Sequence, residues 1–205
     1  MRTLILGLAA FALAACASAP ASAPAAPDPI LADVVIGDPR APVEIVEYGS
    51  LLCGHCRTFW LETLPALRTR YIDTGRARLI YRDMPMPQTA KESRIVSALS
   101  RCAGREHYYA LITDILQRQR DLADQLRDNL RPPLLFEIAA AHGLSRNAVE
   151  ACLASPAITV YLDEQAARRP NAIVAFPSFL INGRLVQSGD PTEITRAIET
   201  ALAGR

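Results

Sequence analysis

The first clear period-two stretch of apolar and polar positions is VEIVEY over residues 43–48. Its alternation and β-branched content predict a strand with Val43 and Ile45 on one face and Glu47 in the same phase. A turn through Gly49 and Ser50 follows, and then Phe59, Trp60, Leu64, Leu67 and Tyr71 recur at helical spacing. Cys53 is therefore expected at or just before a helix start, with Cys56 in the first turn. Pro65 should kink this helix, because it has no amide proton for the carbonyl of Leu61. The helix is expected to stop at Gly75, and Ala77 to Tyr81 reads as a second strand; such a strand-helix-strand unit is most often a right-handed parallel crossover.

From about residue 88 to 169 the periodicity is helical throughout. Ile95, Leu99 and Cys102 form one stripe; Tyr108, Leu111, Ile112 and Ile115 form another; Ile138, Ala139 and His142 form a third, before Gly143. Residues 119–133 are charged, end in Pro132-Pro133 and read as a loop. Ser145 should cap a helix carrying Val149, Cys152 and Leu153, and Ser155-Pro156 should open another that runs to the vicinity of Arg169. Phe179-Leu180-Ile181 and Leu185-Val186 flank Asn182-Gly183, a pair suited to a type I′ hairpin turn. Asp190-Pro191-Thr192-Glu193 then opens a last helix, with Asp190 as cap, Pro191 at the first position and Glu193 reaching back as in a capping box. No internal repeat is visible. The order predicts an α/β fold with a mixed central sheet, residues 33–87 forming its first half, an inserted all-helical subdomain over 88–169, and residues 170–205 forming its second half.

The N-terminus has a different character. Arg2 precedes an apolar run from Leu4 to Ala15, long enough for a secretory signal and too short to span a bilayer as a stable helix. Two endings compete: cleavage near Ala17-Ser18-Ala19, or a lipobox Leu13-Ala14-Ala15-Cys16 in which Cys16 becomes the lipidated first residue. The lipoprotein reading is preferred, making residues 1–16 a signal and anchor. Residues 17–29 are Ala, Ser and Pro except for Asp28, with four prolines. That composition favours extended chain, and a tether over 17–32 is expected to hold the domain roughly 40 Å from a membrane. The Ala after Cys16 fits outer-membrane sorting, with a soluble periplasmic protein as the alternative. The membrane is then met only through the lipid. Net charge is +1, and removing Arg2 leaves 21 basic and 21 acidic residues, so no global field would draw the chain to nucleic acid.

With Cys16 in the leader or under lipid, four cysteines remain, an even number for an oxidising compartment. In the Cys53-Gly54-His55-Cys56 run, a c-type haem would need His where Arg57 stands. A structural zinc site would need a second close ligand pair, and Cys102 and Cys152 are isolated. Redox chemistry accounts for each residue. Unpaired amides at a helix start stabilise an anion, so Cys53 is expected to be an exposed nucleophilic thiolate with a pKa well below about 8.5. His55 adds positive charge beside it, Gly54 imposes no side chain, and Cys56 is expected to be the shielded resolving thiol. No organic cofactor or metal is required. Two other classes stay open: a lipid-anchored copper or other metal carrier using the same cysteines, and an interaction module with silent cysteines. Cys102 and Cys152 are read equally well as a disulfide or as two buried thiols.

The VEIVEYGSLLCGHC and AFPSFLING segments, with the split topology, resemble the DsbA-like family of periplasmic disulfide oxidoreductases over nearly all of residues 33–203. The resemblance implies a thioredoxin fold, a cis-proline at Pro177 facing the cysteines, and a buried acid at Glu47 assisting proton transfer. It also implies protein substrates, exported chains bearing thiols or disulfides, and reoxidation by a quinone-linked membrane partner. Gly-His stands between the cysteines where Pro-His is usual, and Phe176 stands before the proline where Val or Thr is usual. Both positions tune redox poise, so an oxidase is preferred while reductase and isomerase remain open.

Overall fold

The computed structural model describes residues 30–204. The expectations for the leader, the lipobox and the tether up to residue 29 lie outside the described residues. Among the described residues no helix is long and apolar enough to cross a membrane.

Five strands form one mixed sheet: β1 (Val35–Ile36), β2 (Val43–Gly49), β3 (Ala77–Asp83), β4 (Ser178–Ile181) and β5 (Arg184–Val186), in the order β1-β3-β2-β4-β5. The central strand β2 is the VEIVEY segment. It runs parallel to β3, with Val46 opposite Ile80, and antiparallel to β4, with Val46 opposite Leu180. Its alternation sorts side chains between two cores. Val43 and Ile45 join the main apolar cluster, and Val46 and Tyr48 join a smaller one with Ile80, Met84 and Ile173 on the opposite face. Glu47, in phase with Val43 and Ile45, is thereby carried into the main core and fully buried. The hairpin turn has the expected form: Asn182 and Gly183 take positive φ of 46° and 81°. The two-residue β1, antiparallel to β3, was not legible in the pattern.

The helical run after Cys53, α1, consists of an α-helical turn Gly54–Thr58, a π-helical stretch Phe59–Thr63, α-helical Leu64–Leu67 and a second π-helical stretch Arg68–Ile72. Widened turns thus lie on both sides of Pro65, where the ladder lacks a donor. The insertion holds α2 (Ala90–Cys102), α3 (Gly104–Gln117), α4 (Gln119–Asp128), α5 (Pro133–Ala141), α6 (Arg146–Leu153) and α7 (Pro156–Ala167). The expected stripes face inward, with Leu99, Tyr108, Leu111, Ile112, Ile115, Ile138 and Val149 buried. Cys102 of α2 and Cys152 of α6 are bonded, with Cα atoms 5.9 Å apart, which resolves the two readings of that pair. Ser145 caps α6 by accepting from the Ala148 amide at 3.2 Å.

Three expectations need correction. Residues 119–133 are not a loop: α4 occupies 119–128, because Leu122 and Leu126 lie one turn apart and are buried within an otherwise charged segment. The tether does not extend to residue 32, because Ile30 is buried in the core, its amide donates to the Arg101 carbonyl at 2.9 Å, and Arg101 Nη1 donates to the Ala32 carbonyl at 3.2 Å. The last helix, α8 (Pro191–Ala203), lacks a capping box. Asp190 caps it by accepting from the Thr192 amide at 2.6 Å, while the Asp190 amide donates to Ser188 Oγ at 3.0 Å, so no donor is left for Glu193.

The insertion is bound to the sheet by buried polar groups as well as apolar ones. Asp83, at the end of β3, accepts from Ser97 and Ser100 of α2 at 3.0 and 3.2 Å, and from Tyr81 at 3.2 Å. Arg101 is fully buried between the rings of Tyr108 and Tyr161, at 4.8 and 4.9 Å from their centroids.

Candidate active site

The end of β2 and the start of α1 meet in one tight turn, in which the Cys53 amide donates to the Ser50 carbonyl at 3.0 Å. Cys53 is the N-cap of α1, in extended conformation (φ −89°, ψ 121°). No oxygen side chain caps the helix, so its first amides are left for the sulfur. The Cys53 pKa is lowered to about 6. A hydrogen bond from the Cys56 thiol is the largest cause; burial opposes it, and the amides of Cys56 and His55 and the charge of His55 add to the lowering. Cys56 is buried on the inner side of the helix, and its pKa is driven strongly upward by that same bond, by burial, and by the charges of Glu47 and Cys53. The Ser50 amide donates to Cys56 Sγ at 3.5 Å and opposes the rise.

Below the pair lies Glu47. Its Oε2 accepts from Trp60 Nε1 at 2.8 Å, while Oε1 is buried without a protein partner. Burial pushes the carboxyl well above its ordinary value; the Trp60 bond restrains the shift, and the charges of Asp83 and Cys53 add to it. Gly49 makes this proximity possible. A Cβ there would stand 2.9 Å from Tyr81 Cε2, 3.0 Å from Glu47 Oε1 and 3.3 Å from Cys56 Sγ, so the Glu47 carboxyl and the Cys56 thiol pack against the same bare backbone.

Above the pair lies the loop before β4. The Phe176–Pro177 peptide bond is cis, and Cys53 Sγ donates to the Phe176 carbonyl at 3.6 Å. This contact corrects the expectation of an exposed nucleophile. Cys53 is only 9% accessible, because the cis-proline loop folds over it. The sulfur instead lines an open groove of about 680 Å³ with Met84, Met86, Arg169, Val174 and Phe176. Val174 there is 78% exposed. A smaller groove of about 300 Å³ on the other side of the loop is lined by His55, Phe176, Pro177 and Gly189. An extended peptide crossing the loop would place a sulfur within reach of Cys53.

All five expected site residues, Cys53, Cys56, His55, Glu47 and Pro177, thus meet in one place; His55 is the solvent-exposed member. Phe176, singled out by its place before Pro177, contributes through its carbonyl. Three further contributors are not marked as site residues by the sequence. Trp60 falls in a helical apolar stripe and Gly49 in a turn. Gln119, whose Nε2 donates to the carbonyls of Leu51 and Cys53 at 2.9 and 3.0 Å, lay in the segment read as a loop.

A family model described as Thioredoxin matches residues 31–200. A Rickettsia typhi protein provisionally named a protein-disulfide oxidoreductase is 30% identical over 173 residues, covering 83% of this chain and 62% of that protein. The chain thus spans about three-fifths of the length of the Rickettsia relatives it matches. Among solved structures, oxidised BdbD from Bacillus subtilis superposes with a TM-score of 0.75 at 20% identity, covering 88% of this chain and 98% of that one. Wolbachia pipientis alpha-DsbA1 superposes with a TM-score of 0.71 at 25% identity, covering 86% of this chain and 94% of that one.

Proposed function

This chain belongs to the thioredoxin family, in its DsbA-like branch, and from that premise we propose that it exchanges disulfides with exported protein substrates, in the oxidase direction, through Cys53 and Cys56. A substrate thiolate attacks Cys53 Sγ of the oxidised pair. The Cys53–Cys56 bond breaks, a mixed disulfide forms at Cys53, and Cys56 leaves as a thiolate that takes a proton relayed through Glu47. A second substrate thiolate attacks the substrate sulfur of the mixed disulfide and expels Cys53 as a thiolate. Two electrons have then passed from substrate to enzyme; of the two thiol protons, one resides on Cys56 and one has gone to solvent. The single observation that supports this reading most is the Cys53 sulfur at the N-cap of α1, with its pKa lowered to about 6. A low-pKa thiol is the better leaving group and favours release of an oxidised product. Pro177 and the Phe176 carbonyl supply the rim on which substrate backbone lies, and His55 supports the Cys53 anion.

The lipobox at Cys16 supports export and anchoring to the outer membrane, and the resemblance to DsbA-like proteins supports reoxidation by a separate membrane partner. The exchange itself is tested with a Cys56→Ala variant, whose Cys53 thiolate should attack a disulfide-bearing protein substrate, expel one of its sulfurs as a thiolate and accumulate as a mixed disulfide on a non-reducing gel, while Cys53→Ala should accumulate none. No adduct in either variant, or equal adduct in both, would remove the proposal. Release of the protein from the membrane fraction on Cys16→Ala substitution tests the anchor.

A further inference from the structure

The turn that presents Cys53 is gripped from the insertion. Gln119 is the first residue of α4, yet its side chain does not serve that helix: α4 has no side-chain cap bond. Instead it is buried, at 5% exposure, and turned toward the Leu51–Cys53 segment. Its Nε2 donates to the Leu51 carbonyl at 2.9 Å and to the Cys53 carbonyl at 3.0 Å. Both neighbours are acceptors, so the amide must present its NH2 there, and both hydrogens are used. On the far side of the same turn, Arg57 Nε donates to the Leu116 carbonyl at 3.0 Å. Leu116 and Gln119 bracket the break between α3 and α4 at Arg118, which is itself fixed to Asp114 by two bonds of 2.8 and 2.6 Å. Three hydrogen bonds thus tie the active turn, which belongs to the sheet half of the fold, to one junction of the helical insertion.

We propose that Gln119 is a positioning residue for the exchange reaction: by pinning the Leu51 and Cys53 carbonyls it fixes the N-cap geometry from which the Cys53 sulfur meets the first amides of α1, so the insertion sets the reactivity of the nucleophile. The inference rests on the disulfide-exchange reading. The two carbonyls stand on either side of Leu52, so holding both restricts the dihedrals that aim Cys53. The Cys53 carbonyl also accepts the Arg57 amide at 3.0 Å, the bond that opens the α1 ladder. Stabilisation of an anion by a helix start falls off within the first turn, so a small rotation of the cap residue removes much of it. A leucine would fill the same volume, but only a planar group with two donors satisfies both carbonyls at once.

The test uses Gln119→Leu, which keeps volume and loses both donors, and Gln119→Glu, which keeps shape and replaces donors by acceptors at neutral pH. The rate of Cys53 alkylation by iodoacetamide is followed against pH, and the glutathione equilibrium is measured at pH 7. Loosening the cap geometry by losing both bonds should raise the ionisation midpoint by about one unit. A rise from about 6 to about 7 changes the thiolate contribution to the reduced state at pH 7 by about fivefold, so the equilibrium should move about fivefold toward oxidised enzyme. A lowered melting temperature with midpoint and equilibrium unmoved would reduce Gln119 to a packing residue and overturn the proposal. Should Gln119→Leu not fold, Gln119→Asn, which retracts the amide by one methylene, is judged by the same two readouts. A wild-type Cys53 that ionises like free cysteine would instead refute the exchange reading and this inference with it.

Discussion

A lowered Cys53 pKa beside a strongly raised Cys56 pKa makes a quantitative prediction about the pH dependence of the reduction potential. Reduction of the disulfide adds two electrons and as many protons as the reduced pair retains. Below the Cys53 pKa of about 6 both thiols keep their protons, and for a two-electron couple the potential should fall by about 60 mV per pH unit. Above it only Cys56 keeps one, because its pKa lies far higher, and the slope should halve to about 30 mV per unit. At pH 7 a group with pKa about 6 is roughly ten-to-one thiolate, which favours the reduced state by about 1.4 kcal/mol over a pair whose thiols both stay protonated. Water at the groove mouth screens the anion and trims this to about 1 kcal/mol, or about 20 mV toward a stronger oxidant. Measured against a thiol of the ordinary value 9.0, the gain from the depressed pKa is complete only above 9.0, shrinks as pH falls and is gone below about 6. Equilibration with glutathione from about pH 4.5 to 8, read by trapping and counting free thiols, should give two straight limbs meeting near pH 6. A single slope of about 60 mV per unit through pH 8 would refute the thiolate argument, whatever activity the protein displays.

Other perturbations should give equally definite results. Replacing Cys102 and Cys152 by Ala opens a loop with a sequence separation of 50, worth about 4 kcal/mol in chain entropy, and urea unfolding should show that loss; an unchanged midpoint would mean that helix packing alone holds α2 to α6. Glu47→Gln removes a buried acid whose folded pKa is raised; native stability is therefore fully present below the ordinary carboxyl value of 4.5 and lost as pH rises through the folded value. The substitution should stabilise by about 1 to 3 kcal/mol at pH 8 and hardly at all at pH 4, and it should lengthen the life of the mixed disulfide; equal stabilisation at both pH values would contradict the assignment. Gly49→Ala drives a methyl group against Tyr81, Glu47 Oε1 and Cys56 Sγ, and should cost about 1 to 3 kcal/mol while slowing turnover, as thermal melts and a substrate-oxidation assay would reveal.

What could be read along the chain followed from where the deciding forces are local. β2 and the hairpin were legible because alternation, β-branching and the Asn182-Gly183 turn are properties of a few neighbouring residues. The place of Cys53 at a helix start was legible because it follows from the helical spacing that begins beside Cys53 and Cys56. The α4 segment was not, because its inward face consists of Leu122, Leu126 and the polar Gln119, and composition outweighed a stripe of only two apolar residues. The Cys102 and Cys152 stripes were visible, but their bond depends on how α2 and α6 pack, which no local pattern encodes. The same holds for Gln119, Arg101 and Asp83: each is buried although its residue type favours the surface, and each is stabilised there by partners distant in sequence. Those three residues sit where the insertion meets the sheet half of the fold. Local patterns therefore placed the Cys53 sulfur at its helix start, whereas the contacts that hold its turn come from residues that hydropathy assigns to solvent. On the proposed exchange reading the insertion is then part of the redox machinery and not an appendage, and the charged segment hardest to interpret in the sequence carries the residue that grips the Cys53 turn.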